Sequence, residues 1–315
     1  MVALALFQVP RPALAYCPTY TCEFDGRQVC QVDPVTGCSS GGQVAHWASD
    51  CLSYAVQAQG SLEQGISADG LRGILADGFD AWSDAACEGA GPGMLTPSFS
   101  ANYRGLTACD EVEYNCRVED NDNIVMFRDA ASELSASTIA LSTIVANLET
   151  GEILDVDIEI NSRDFDFYVE PEGTDPTAHD LRLVLNHELG HMLGLSHSRD
   201  ARALMRAEYD GESPLPTGDD VRGMCKAFPV SATDPVCSSA SIAGAGECVG
   251  QDSGCPLTLS TRSGGCALGA AARSAPGWGW AFVFAVAGAR RRYFSLTSSR
   301  VGLEPRAARR RSSHG

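Results

Sequence analysis

Residues 187–197 read His-Glu-Leu-Gly-His-Met-Leu-Gly-Leu-Ser-His, and these types at this spacing describe a metal site with a base beside it. On a helix, His187 and His191 stand at i and i+4, so both imidazoles share one face, close enough to bind a single tetrahedral zinc ion. Gly194 follows where a helix end often needs a left-handed residue, a conformation that costs glycine little, and a chain reversed there can return His197 to the same metal. Three neutral imidazoles leave the ion's charge to polarise a water in the fourth position, whose pKa can fall to near neutrality. Glu188, beside the first ligand, is placed to accept that water's proton and pass it to a departing amine while the ion stabilises the oxyanion. The chemistry implied is peptide hydrolysis with one catalytic Zn2+. A short His-Glu-x-x-His match alone can be a surface helix with incidental histidines, but the chain has 6 His and three of them occupy the required positions.

The helix carrying this segment needs a start, and Thr177 with Asp180 three residues on has the form of a capping box, placing that start near Thr177. Upstream, Cys51–Gln57 alternates like a strand. Ser67-Ala68-Asp69 opens a helix running to about Ala86, with Leu71, Ile74, Leu75, Phe79 and Trp82 at helical spacing. Asp122–Arg128 and Ser137–Asn147 are β-rich, and Glu152–Asn161 alternates Ile153, Val156, Ile158 and Ile160 imperfectly against acids. The last two runs, joined through Glu149-Thr150-Gly151, read as a hairpin. Elements of both kinds in this order imply an α/β domain.

The extended motif resembles that of the metzincin clan of zinc peptidases, which also has a Met-containing turn beneath the metal, matched here by Met205 in Ala203-Leu204-Met205. Ser198 and Asp200 after the third ligand, with the Ala-Leu-Met turn eight residues beyond it, are similar to the matrixin branch. Astacin-like and serralysin-like chains carry Tyr two residues after the Met, where this chain has Ala207. The resemblance covers roughly residues 44–229. It implies an α/β (α+β metzincin-like) fold: a twisted, mostly parallel sheet with one antiparallel edge strand, then the active-site helix, the Met-turn and a last helix from Asp219-Asp220 through Val221–Phe228. It also implies that an extended substrate adds as an antiparallel strand to the edge strand, about Thr138–Val145, with Ile139, Ala140, Leu141, Ser142 and Thr143 as the substrate-binding residues. Two departures stand out. The Pro that commonly follows the Met-turn is absent from Met205-Arg206-Ala207, and so is the family's PRCGxPD latency motif.

The rest of the chain bounds where such chemistry acts. The formal charge is -17 over 315 residues, and residues 263–315 carry nine Arg against Glu304, leaving about -25 for residues 1–262. Such a field repels phosphate backbones and excludes a nucleic-acid partner. Calcium stays open around Asp110–Asp122 and Glu170–Asp175. Thirteen Cys without C-x-x-C spacing point to disulfides and an oxidising compartment, with twelve paired and Cys266 left over. Val2–Phe7 and Ala13-Leu14-Ala15 suggest a short signal peptide over 1–15. Residues 16–43 form a Cys-rich segment that braces the core or covers the active site, 44–229 the catalytic domain, and 230–265 a Ser/Gly/Ala-rich linker. Gly265-Cys266, the apolar Trp278–Ala289 and Arg290-Arg291-Arg292 resemble a myxobacterial-type C-terminal sorting signal over 266–292, with Cys266 the anchoring position and 293–315 a basic tail. The expectation is a secreted, monomeric zinc endopeptidase acting on protein or peptide substrates and held at the outer cell surface. The competing reading is a non-catalytic surface binding or adhesion protein on the same scaffold.

Overall fold

The computed structural model describes residues 16–23, 29–87, 95–117, 121–130, 134–169, 175, 177–209, 213–231, 235, 237, 258–263 and 267–268. The expected signal peptide, Cys266, the apolar stretch Trp278–Ala289 and the basic tail lie outside the described residues. The N-terminal Cys-rich segment begins with a short strand, β1 (Cys17–Pro18), and is closed by disulfides Cys17–Cys38 and Cys22–Cys30.

The alternating run at Cys51–Gln57 forms β2, with Leu52, Tyr54 and Val56 turned into the main core. Helix α1 (Ala68–Ser83) starts at Ser67, whose side chain accepts from the Gly70 amide, and its stripe of Leu71, Ile74, Leu75, Phe79 and Trp82 is buried as the helical spacing predicts. Next come β3 (Ser100–Thr107), β4 (Ile124–Phe127), and the hairpin of β5 (Ala140–Asn147) and β6 (Ile153–Ile160). Helix α2 (Leu181–Met192) packs on α1 and β5. It is followed by β7 (Leu195–Ser196), β8 (Glu208–Tyr209), α3 (Gly218–Ala227), β9 (Thr258–Ser263) and β10 (Ala267–Leu268).

The main sheet has the order β9-β5-β6-β4-β2-β3. Strands β6, β4, β2 and β3 run parallel, while β5 is antiparallel to β6 and β9 antiparallel to β5. The mixed α/β class and the mostly parallel sheet agree with expectation. Two strands are additional. β3 carries few apolar residues and occupies the edge, where main-chain pairing suffices. β9 falls within the span 230–265 read as a linker, and it pairs along the outer side of β5, so the expected edge strand is second from the edge.

Helix α2 does not begin at Thr177. Its N-cap is Asp180, whose side chain accepts from the Arg182 amide, and the Thr177 hydroxyl is held by Asp175. The capping-box pair instead occurs at α3, between Thr217 and Asp220. Disulfides Cys51–Cys237 and Cys87–Cys225 tie the start of β2 and the segment after α1 to the C-terminal part of the domain. All ten described cysteines are disulfide-bonded, Cys109 and Cys116 included.

The acids alternating along β6 are not solvated. Asp155, Asp157 and Glu159 lie 1%, 0% and 4% exposed on the face away from the helices. Asp157 accepts from the amides of Glu113 and Ile124, and Glu159 pairs with Arg128. Burial, followed by repulsion from Asp157, Glu113 and Asp122, raises the Asp155 pKa well above the carboxylate range. A raised folded-state pKa means that the native state holds the proton more tightly than the unfolded chain. Its stability therefore falls as pH climbs from the unfolded value toward the folded one. Asp155→Asn should thus raise Tm at pH 8, with the gain shrinking as pH drops to about 4, where the unfolded carboxyl also protonates. Thermal melts across that range test this, and a pH-independent effect would contradict it.

Candidate metal centre

Helix α2 presents His187 and His191 from one face, both fully buried, and the chain turns at Gly194, where φ is +95°. That left-handed residue caps the helix, its amide donating to the His191 carbonyl at 2.9 Å, and sends the next residues back as β7. The return is braced from outside: β1 pairs antiparallel with β7, Cys17 opposite Ser196, and the Thr19 amide donates to the Gly194 carbonyl. Of the two roles open to the Cys-rich segment, these pairings show the brace. It fixes the two residues preceding His197.

The three histidines converge. Their ligand nitrogens lie within 4.8 Å of one another, the only such metal-holding group of acidic, His or Cys side chains among the described residues. His187 Nδ1 lies 2.8 Å from the Leu204 carbonyl and His191 Nδ1 2.8 Å from the Leu195 carbonyl. A carbonyl only accepts, so each Nδ1 carries a proton, and a ring that is neutral, as metal ligation requires, has its lone pair on Nε2. Both lone pairs face His197 Nε2, at 3.3 and 3.2 Å. His197 holds at most one proton on Nε2, so at least one pair of nitrogens meets lone pair to lone pair. A cation between them relieves that repulsion, and three neutral imidazoles suit zinc. Burial, then the neighbouring imidazoles, lowers the His191 pKa well below the usual range; burial and His187 bring that of His197 to about 3. These two rings are neutral, and so able to ligate, across the physiological range.

Glu188 is fully buried beside them, and the Ser142 hydroxyl of β5 donates to its Oε2 at 2.7 Å. Ser142 belongs to the stretch Ile139–Thr143 expected to bind substrate through its main chain; its side chain points at Glu188, and all five residues are buried. Met205 is 2% exposed and lies against Gly190 of α2. Gly190, between the ligands on α2, makes room for it: a Cβ there would come within 2.1 Å of Met205 Sδ and 3.0 Å of the Trp82 ring. The turn bearing Met205 is held from α3. The Asp220 carboxylate accepts from the amides of Leu204 at 2.8 Å and Met205 at 3.1 Å while also bonding Thr217, and Asp219 accepts from the Ser198 hydroxyl at 2.6 Å. Sequence reasoning marked Asp219-Asp220 only as the approach to a helix. The Thr217-x-x-Asp220 spacing was the available sign that an acid occupies the helix start, though not that it reaches the Met-turn.

A family model described as Matrixin matches residues 46–228, more than half of the chain. The chain belongs to the matrixin family. No curated protein matches it. Membership makes the matched region a zinc metallopeptidase domain, in agreement with the donor set above. Calcium gains no support: of residues 110–122 and 170–175, those described form no cluster with the spacing of a metal site.

Asp220→Ala would strip two buried turn amides of a charged acceptor, a loss of about 2–4 kcal/mol from hydrogen bonds of this kind. The expected result is a lower Tm together with zinc loss at lower chelator concentration, because Leu204 also supplies the carbonyl that fixes His187. Asp220→Asn, which keeps one accepting oxygen, should fall between the two. Unchanged zinc retention in Asp220→Ala would show that the turn does not govern the ligands.

Proposed function

We propose that this matrixin is an exported endopeptidase that hydrolyses extended protein segments, with His187, His191 and His197 as the zinc ligands and Glu188 as the general base. The observation that carries the reading is the juxtaposition of three converging Nε2 atoms with a buried carboxylate held by Ser142. Zinc, when bound, supplies a Lewis acid that polarises a water and the substrate carbonyl. Glu188 accepts the water's proton and returns it to the leaving amine. The Ser142 hydroxyl fixes the rotamer in which it does so, and burial of the site keeps bulk water from screening the carboxylate. The carbonyls of Leu204 and Leu195 hold two ligand rings in the required tautomer. Met205 supports the ligands from below. Backbone groups of Ile139–Thr143 orient the substrate as an added strand.

The adhesion-scaffold reading has no use for this carboxylate, since three imidazoles suffice to hold the metal. Export is supported by the disulfide bonding of all ten described cysteines. Surface retention through Cys266 remains part of the proposal on sequence alone. No helix among the described residues is long and apolar enough to cross a membrane.

Glu188→Gln should lower hydrolysis of an unstructured protein such as casein by about 10²–10⁴-fold, the range for loss of a general base, while bound zinc stays at the wild-type level. Equal activity in the two zinc-loaded proteins would remove Glu188 from the reaction. Mass spectrometry of the mature cell-surface form should show loss of the residues beyond Cys266, and an intact C-terminus would exclude that mode of anchoring.

A further inference from the structure

Two short strands from beyond the matched region pair with elements that neighbour the site residues in sequence or by hydrogen bond. β9 pairs antiparallel with β5 over its whole length, from Thr258 opposite Asn147 to Ser263 opposite Ser142. Ser142 is the residue whose hydroxyl holds Glu188, so β9 ends level with the proposed general base. β10 pairs parallel with β8, Ala267 opposite Glu208 and Leu268 opposite Tyr209, just past Met205. Tyr209 in turn accepts from the Asp180 amide at the start of α2. Four residue steps separate Ser263 from Ala267, a reach of at most ~14 Å. Both pairings thus belong to one short stretch of chain.

The outer main-chain groups of β5 can pair with one strand at a time. An incoming substrate, on the reading proposed above, adds antiparallel to the same side of the same strand, and β9 already runs there in that direction. We infer that Thr258–Ser263 and Ala267–Leu268 form an intramolecular substrate mimic, a C-terminal latch that occupies the substrate strand's place and must leave before another chain is bound. This inference rests on the peptidase reading. The tether makes the latch effective: Cys237 is bonded to Cys51 at the start of β2, so only residues 238–257 separate a fixed point on the core from β9. A short tether gives an effective concentration in the millimolar range, against which a free substrate must compete. The sequence of β9, Thr-Leu-Ser-Thr-Arg-Ser, contains no acid and two β-branched residues, which suits main-chain pairing to a partner strand. The latch supplies a means of holding the enzyme inactive from its own C-terminal segment.

The test uses the full-length, zinc-loaded chain, its mass checked to be intact, beside Ser260→Pro/Thr261→Pro. Along an antiparallel strand alternate N–H groups face the partner, so one of two adjacent prolines must remove a bond to β5, and neither can disturb the inner sheet. Ser260→Ala/Thr261→Val keeps every amide and serves as the control. Two quantities are read: kcat/KM on casein-derived peptide, and hydrogen exchange of the β5 amides. The latch predicts that the proline variant cleaves at least about tenfold faster and loses protection along β5, while the control behaves as wild type. Equal rates in wild type and in a proline variant whose β5 amides have opened would overturn it, as would unprotected β5 amides in the wild type. Absence of cleavage from a variant that has opened and retains zinc would strike the peptidase reading itself.

Discussion

His197 Nε2 lies 3.2–3.3 Å from the Nε2 atoms of His191 and His187, whose Nδ1 atoms face carbonyls, and as neutral rings these nitrogens repel one another unless a cation lies between. Much of the domain's architecture is explained by the need to hold that unfavourable arrangement ready for a metal. Helix α2 supplies two rings one turn apart on one face. Gly194 reverses the chain within one residue, and the disulfide-closed N-terminal segment pins the returning strand so that His197 points inward. From below, Asp220 holds the turn whose Leu204 carbonyl orients His187 and whose Met205 side chain fills the space left by Gly190. Each support acts on a ligand through one intermediary, and the metal repays them jointly, since ion binding and folding are coupled in such sites.

The parts of this that could be read from sequence are those with a period or a fixed spacing. The i, i+4 histidines, the glycine and the third histidine gave the site, and Leu71 through Trp82 gave α1, because local geometry dictates both. Strand β2 and the β5–β6 hairpin were legible from alternation. Long-range pairing was not. β3 and β9 are short of large apolar residues and owe their place to main-chain bonds with a neighbour far away in sequence, which no local pattern encodes. The acids of β6 look like a solvent face in the sequence, yet they are buried, with Asp157 accepting from the distant amides of Glu113 and Ile124. The start of α2 shows the same limit on a smaller scale: Thr177 and Asp180 have capping spacing, but the Thr177 hydroxyl is engaged by Asp175, leaving the cap to Asp180.

The C-terminal strands join the catalytic geometry to its control. Substrate recognition by strand addition uses backbone groups that any extended segment can satisfy, so an enzyme built this way is open to blockage by its own chain. Here the segment that follows the domain pairs with β5 and with β8. The Cys51–Cys237 disulfide, which stabilises the domain by closing a long loop, also sets the length of the tether. Stability, recognition and latency thus share the same few elements.

The central claim is that His187, His191 and His197 together hold one zinc ion through Nε2. X-ray absorption at the zinc edge on the purified chain, with metal content measured in parallel, tests it most directly. The expected result is one zinc per chain with three imidazole nitrogens at about 2.0–2.1 Å. Fewer than three imidazoles in the shell, or an unchanged shell in His197→Ala, would contradict it.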